Sequence, residues 1–203
     1  MDASFLITAF VSLFVVIDPI ALLPLFMALT QGMTARERRI IGARACVVAA
    51  FLLCIFAQYG ETVLNFVGIS MPAFRIAGGI LLFITALDML FERRTKRRED
   101  SADSRPDPSV FPLAIPLIAG PGSIATVILL AGQNPGTQGF ALVIGVMLTV
   151  ILVTFIFFLS ADVFERVFGK TGINVITRLL GMLLAALAVQ FVLDGMRDFG
   201  FGP

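Results

Sequence analysis

The sequence predicts an all-α membrane protein. Six transmembrane helices form two inverted three-helix repeats, with spans 1 and 4 broken in mid-membrane. Three observations carry this expectation: a composition too apolar for water, six apolar stretches of spanning length, and two interruptions at matching places in the halves. Of the 203 residues, 58% are hydrophobic and 14% charged. A soluble domain has too little interior to hide that much apolar surface, so the solvent for most of the chain is lipid. A span needs about 20 apolar residues, and the qualifying stretches are roughly 4–31, 39–60, 68–91, 110–132, 139–163 and 172–196.

The first stretch opens after Met-Asp-Ala-Ser, which has neither a basic n-region nor a cleavage site following, and is expected to stay in the protein as a span. It contains 15-VVIDPIALLPLF-26, an acid and a proline in an otherwise spanning run. Asp favours the helix N-cap and proline the first helical position, so Asp18-Pro19 reads as the junction of two half-helices, the second over 19–30. The second stretch holds Cys46 and Cys54, eight residues apart, read as small apolar side chains and not as a disulfide or metal pair. The third carries 74-FRIAGGILL-82, whose Gly78 and Gly79 offer a small face for close helix packing.

A polar linker, 92-ERRTKRREDSADSRPDPS-109, then divides the chain into a first repeat (1–91) and a second (110–203). It reads as a solvated tether that also fixes topology, with a basic patch for anionic headgroups as the sharper reading. The fourth stretch has Pro112, Pro116 and the run 119-AGPGSIA-125, where Gly120-Pro121-Gly122-Ser123 breaks the span. The sixth carries 177-TRLLGMLLA-185. Gly120-Pro121 follows Asp18-Pro19 by 102 residues, and Arg178 and Gly181 follow Arg75 and Gly78 by 103. An offset of about 102 to 103 at independent landmarks indicates duplication. Because three spans is an odd number, the second copy enters the membrane from the opposite side, as in many secondary transporters.

Basic residues set the orientation. Arg36, Arg38, Arg39 and Arg44, six more in 93–105, and Arg166 with Lys170 make 12 of the 15, all on connections of one side. That side is expected to be cytoplasmic, with both termini outside.

The breaks suggest a chemistry. The first N–H groups of a half-helix lack intrahelical partners and carry the positive end of the helix dipole. At 122–124 no acid is near in sequence, so a ligand carboxylate is expected to supply the acceptor, with the Ser123 hydroxyl beside it. At 18–21 the Asp18 carboxylate already occupies the helix start and offers its outer lone pairs to an ammonium group, a cation or a proton. Asp18, Pro19, Gly120, Pro121, Gly122 and Ser123 therefore form the expected substrate site, a receptor for a zwitterion. The plainer reading is that Asp18 caps its own helix and the glycines only pack closely. Arg75, Arg178, Gly78 and Gly181 are assigned structural or gating roles. The arginines either snorkel to an interface or tie down carbonyls at a break. Asp88 and Asp194 are expected at interfaces, with Asn174 and Gln190 as minor buried polar links. With no histidine and no nucleophile–base or metal-ligand pattern, neither an enzyme, a metal site nor a cofactor is expected, and a net charge of +1 gives no reason to expect nucleic acid.

The segments 17-IDPIALLPLFMALT-30, 74-FRIAGGILLF-83 and 111-FPLAIPLIAGPGSIAT-126 resemble the MarC/SnatA (UPF0056-type) family of small bacterial and archaeal membrane proteins, over nearly the whole chain. The resemblance implies a six-span inner-membrane protein related to the lysine-exporter superfamily, some of whose members move small neutral amino acids such as glycine or alanine. The expected function is thus secondary transport of small neutral amino acids or similar zwitterions, coupled to H+ or Na+. A passive channel for small polar solutes and a non-transporting scaffold are the alternatives.

Overall fold

The computed structural model describes residues 3–91, 108–133 and 136–200, and is helical throughout, with no strand among the described residues. The tether at 92–109 lies almost wholly outside them. In chain order the elements are α1 (Ala3–Ile17), α2 (Pro19–Leu29), α3 (Ala35–Val67), α4 (Met71–Leu90), a wide-turned segment α5 (Ser109–Ile118), α6 (Pro121–Gln133), α7 (Thr137–Leu159) and α8 (Ala161–Asp198). Among the described residues five spans are long and apolar enough to cross a membrane, α1 and α2 counting together as Ser4–Leu29, and α5 with α6 makes a sixth if that bent pair is one span.

Local chemistry explains the boundaries. The α3 start is a capping box: the Thr34 hydroxyl accepts from the Glu37 N–H while the Glu37 carboxylate accepts from the Thr34 N–H. The α4 start uses Ser70 as cap, with Pro72 in its first turn. In α5, prolines recur at 108, 112 and 116. Each removes a backbone donor, and the residue before a proline is pushed out of the helical region. Phe111 (φ −130°, ψ 123°) and Ile115 (φ −124°, ψ 125°) are extended for that reason.

Several sequence-based boundaries shift. The second span extends at both ends, so 58-QYGETVLNFV-67 forms the last turns of α3 and not a loop. The connection expected around Arg166 and Lys170 is helical backbone within α8, bent at Gly169 (φ 60°, ψ 176°). Polar residues there extend the helix beyond the apolar stretch, because hydropathy marks the lipid and not the helix end.

The most extensive interface joins α4 and α8, which run antiparallel. Gly79 lies against Ala188 and Val192, Gly181 against Ala86 and Met89, and Gly195 against Pro72 and Ile76. A Cβ on Gly79 would stand 2.8 Å from the Ala188 carbonyl oxygen, so the backbones approach as closely as small residues permit. Helix α3 packs on α5, α6 and α7, and α7 on α1 and α2. In the first span 67% of the apolar window is buried, against 28–39% in the other four. The first span therefore sits in the middle of the bundle. Helix α6 joins it there, with Ala125 through Leu130 all buried. Val47, Phe51, Phe66, Leu152 and Leu179 instead present an apolar exterior, as lipid requires.

Candidate functional site

The two sequence breaks have different geometries. At the first, Asp18 adopts φ 54°, ψ 65°, a left-handed conformation uncommon for any residue but glycine and tolerated by Asp. Hydrogen bonding nonetheless carries through: the Asp18 N–H donates to the Phe14 carbonyl (2.9 Å) and the Leu22 N–H donates to the Asp18 carbonyl (3.2 Å). The side chain is fully buried, and Oδ1 accepts from the Ala21 N–H at 3.2 Å, the geometry of an N-cap. The first break is therefore a one-residue unwinding within a single span, Ser4–Leu29.

The second is a bend of 55° between α5 and α6. Ser123 braces it, accepting from the Gly120 N–H (2.9 Å) while its hydroxyl lies 2.7 Å from the Ile118 carbonyl oxygen and 3.0 Å from that of Gly120. Gly120 is required sterically, since a Cβ there would run into the Pro116 carbonyl. The first helical bond of α6 is Ile124 N–H to Gly120 carbonyl (2.9 Å), so the N–H groups of Gly122 and Ser123 precede any intrahelical acceptor. Both residues are buried.

The breaks adjoin. A Cβ on Gly122 would lie 3.0 Å from Val16 Cγ1 and 3.4 Å from Leu82 Cδ2. Between them and α4 is a cavity of about 150 Å³, lined by Val16, Thr85, Asp88, Pro116, Leu117 and Gly120 through Ser123. The structure thus brings Gly120, Pro121, Gly122 and Ser123 to one cavity. Asp18 and Pro19, two and three residues after Val16, do not line it.

Sequence reasoning missed Asp88. No acid is near 122–124 along the chain, yet α4 brings one across, and Asp88 belongs to the cavity and not merely to the end of a span. No signal within α4 marks it; only the approach of α6 does, with Gly122 set against Leu82 and Thr85. The Arg75 guanidinium pairs with Asp198 at the end of α8. Arg178 is exposed on α8. Gln190 is also exposed and donates to Asp194 at 2.8 Å, so it is not a buried link. Gly78 and Gly181 serve packing, against Leu129 of α6 and Met89 of α4 respectively.

A second, wider cavity of about 390 Å³ sits at the other end of α6. Gln58, Glu61, Thr62 and Asn65 line it from one face of α3. Between the two cavities α6 is tightly packed: a Cβ on Gly60 would stand 2.5 Å from Ile128 Cγ1, and one on Gly78 would stand 3.1 Å from Leu129 Cδ1. Among the described residues no group of three or more metal-ligating side chains occurs.

An all-helical bundle with lipid-facing flanks, and with a small polar cavity where an interrupted helix begins, defines a polytopic integral membrane protein. The profile of the MarC family of integral membrane proteins matches residues 3–199, and the chain belongs to that family. It is 38% identical to the UPF0056 membrane protein YvbG of Bacillus subtilis, over 97% of this chain and 96% of that protein. It is 37% identical to a UPF0056 membrane protein of Aquifex aeolicus, over 95% and 92%. With the UPF0056 inner membrane protein YhgN of Escherichia coli K12 the figures are 35%, 95% and 96%. No solved structure matches the chain.

Proposed function

We propose that this protein is a secondary transporter of small neutral amino acids or similar zwitterions, working by alternating access between two inverted repeats in the inner membrane. The observation that carries the reading is the cavity where the N–H groups of Gly122 and Ser123, still without helical acceptors, open an interrupted helix in the bundle interior. Such a helix start in low dielectric favours an anionic group, and broken helices at the repeat interface are where transporters of this architecture bind their substrates.

The packing supports the repeat. Shifted by 102 residues, α1 to α4 correspond to α5 to α8, and several contacts have counterparts: α2 with α8 and α6 with α4, α3 with α5 and α7 with α1, α3 with α6 and α7 with α2. The same shift carries Gly79 to Gly181 and Ala86 to Ala188, and Gly79 packs on Ala188 as Gly181 packs on Ala86. Corresponding helices that cross antiparallel are what an inverted pair requires. The cavity lies near the linker end of α4, and Ile128 and Leu129, packed against Gly60 and Gly78, stand between it and the wider cavity.

The test is uptake of radiolabelled glycine and alanine into proteoliposomes. A transporter gives saturable uptake and counterflow, whereas a passive channel gives uptake linear in concentration without counterflow. Absence of uptake for both, with the protein folded, removes the reading.

A further inference from the structure

Where α3 outruns its apolar stretch, its last turns carry a pattern that close packing does not explain. At about 100° per residue, the backbone from 57 to 67 divides into three sectors. Ala57, Gly60 and Leu64 are buried against the bundle. Tyr59, Val63, Phe66 and Val67 form an apolar outer stripe, with Phe66 91% exposed. Between these two sectors lie Gln58, Glu61, Thr62 and Asn65, and all four line the wide cavity of about 390 Å³ at the far end of α6. A helix end surrounded by water has no reason to sort its exposed side chains by polarity. This one turns an apolar stripe outward and a polar stripe toward the hollow, the arrangement of a wet vestibule in the side of a membrane bundle.

Glu61 sets the sign of this vestibule. It is the one ionisable residue in the lining and the one charged residue between Arg44 and Arg75. The other wall comes from α6 and α7, and no Lys or Arg lies between Arg105 and Arg166. Among the described residues the Glu61 carboxylate has no hydrogen bond or ion pair, and Arg75 is already paired with Asp198. The end of α6 and the start of α7 meet in that other wall, so their dipoles oppose and leave the carboxylate charge uncompensated. We propose that this cavity is a seat for a small monovalent cation, with Glu61 as its charged ligand and Gln58, Thr62 and Asn65 supplying neutral oxygens. One carboxylate balances one positive charge. Calcium sites draw on several carboxylates, and no group of three or more metal-ligating side chains occurs among the described residues. The cavity is many times the ~30 Å³ that one water takes up, so the cation enters hydrated, and a sodium ion or a small organic ammonium meets the same chemistry. The seat lies outside the cavity that carries the amino-acid reading and does not rest on it.

The experiment measures sodium NMR line broadening by purified full-length protein in a non-ionic detergent, for wild type, Glu61→Gln, Glu61→Asp and Asn65→Leu, with methylammonium and alanine as competitors. Competition in the wild type needs no variant to fold, and gel filtration with circular dichroism checks that each variant does. The expected result is broadening by the wild type that methylammonium reverses. Glu61→Gln lowers the excess broadening at least threefold, Glu61→Asp retains it, and Asn65→Leu raises the half-saturating sodium concentration about threefold. Reversal by alanine as well as methylammonium shows that the seat accepts the ammonium group of a zwitterion. Reversal by methylammonium alone reserves it for simple cations, and the seat stands in either case. Absence of broadening in the wild type, broadening that methylammonium leaves unchanged, or equal broadening by wild type and Glu61→Gln overturns the proposal. Amino-acid uptake into proteoliposomes is read separately, so each proposal fails on its own measurement.

Discussion

Conservative substitutions separate the helix cap of Asp18 from its charge. Its left-handed backbone and its acceptor for the Ala21 N–H are both within the reach of asparagine, which caps helices as well as aspartate and tolerates the same φ. Asp18→Asn is therefore expected to unfold within about 0.5 kcal/mol of wild type, while Asp18→Leu loses the cap and strains the backbone at a cost of about 2 kcal/mol. Denaturation in detergent checks the pair. If the asparagine variant is stable and has lost uptake, the charge and not the cap is what transport needs. Asp18-Pro19 was legible in the sequence because both residue types have strong positional preferences at a helix start. Asp88 was not, because nothing within its own helix distinguishes a carboxylate at an interface from one facing a cavity. Only the crossing of α6 over α4 makes the difference.

At the scale of the elements, the α4–α8 seam is where side-chain volume matters most. Gly79→Ala puts a Cβ 2.7 Å from Val192 Cγ2 and 2.8 Å from a backbone oxygen, and is expected to destabilise by about 1–3 kcal/mol through overpacking. Gly145→Ala on α7, which meets nothing within 4 Å, serves as the control and is expected to be neutral or to stabilise by up to about 1 kcal/mol through helix propensity. Thermal unfolding of the two variants should thus shift in opposite directions or by clearly different amounts. The Arg75–Asp198 pair ties the start of α4 to the end of α8, but Asp198 is 46% exposed. Breaking it with Arg75→Met is expected to cost no more than about 1 kcal/mol. The ends of α3 and α8 were poorly legible for a physical reason: both helices outrun the apolar stretch, and Gly68, which closes α3, and Gly169, which bends α8, lie outside it. In α5 the reverse holds, since its prolines announce an irregular path that hydropathy alone draws as a plain span.

For the whole molecule, the linker-side arginines predict which way the bundle faces. Alkaline phosphatase fused after the last residue is expected to be active and a fluorescent protein fused there dark, with the opposite result for fusions in the 92–107 tether; the reverse pattern would invert the proposed orientation. The composition made the membrane class evident, and the 102-residue offset pointed to two related halves. How those halves interlock was not legible, because pairing across the repeat leaves no periodic trace within either one. Helix α4, from the first half, forms the wall facing the break of the second, and α8, from the second, packs on α2 of the first. This exchange bears on how the protein is made. The ribosome delivers the first three spans well before α8 exists, so the nascent chain holds the buried Asp18 carboxylate in the membrane without the helix that will finally pack on α2. Chains truncated before residue 171 are accordingly expected to be cleared by membrane proteases, and a pulse–chase measurement would find their half-lives far shorter than that of the complete polypeptide.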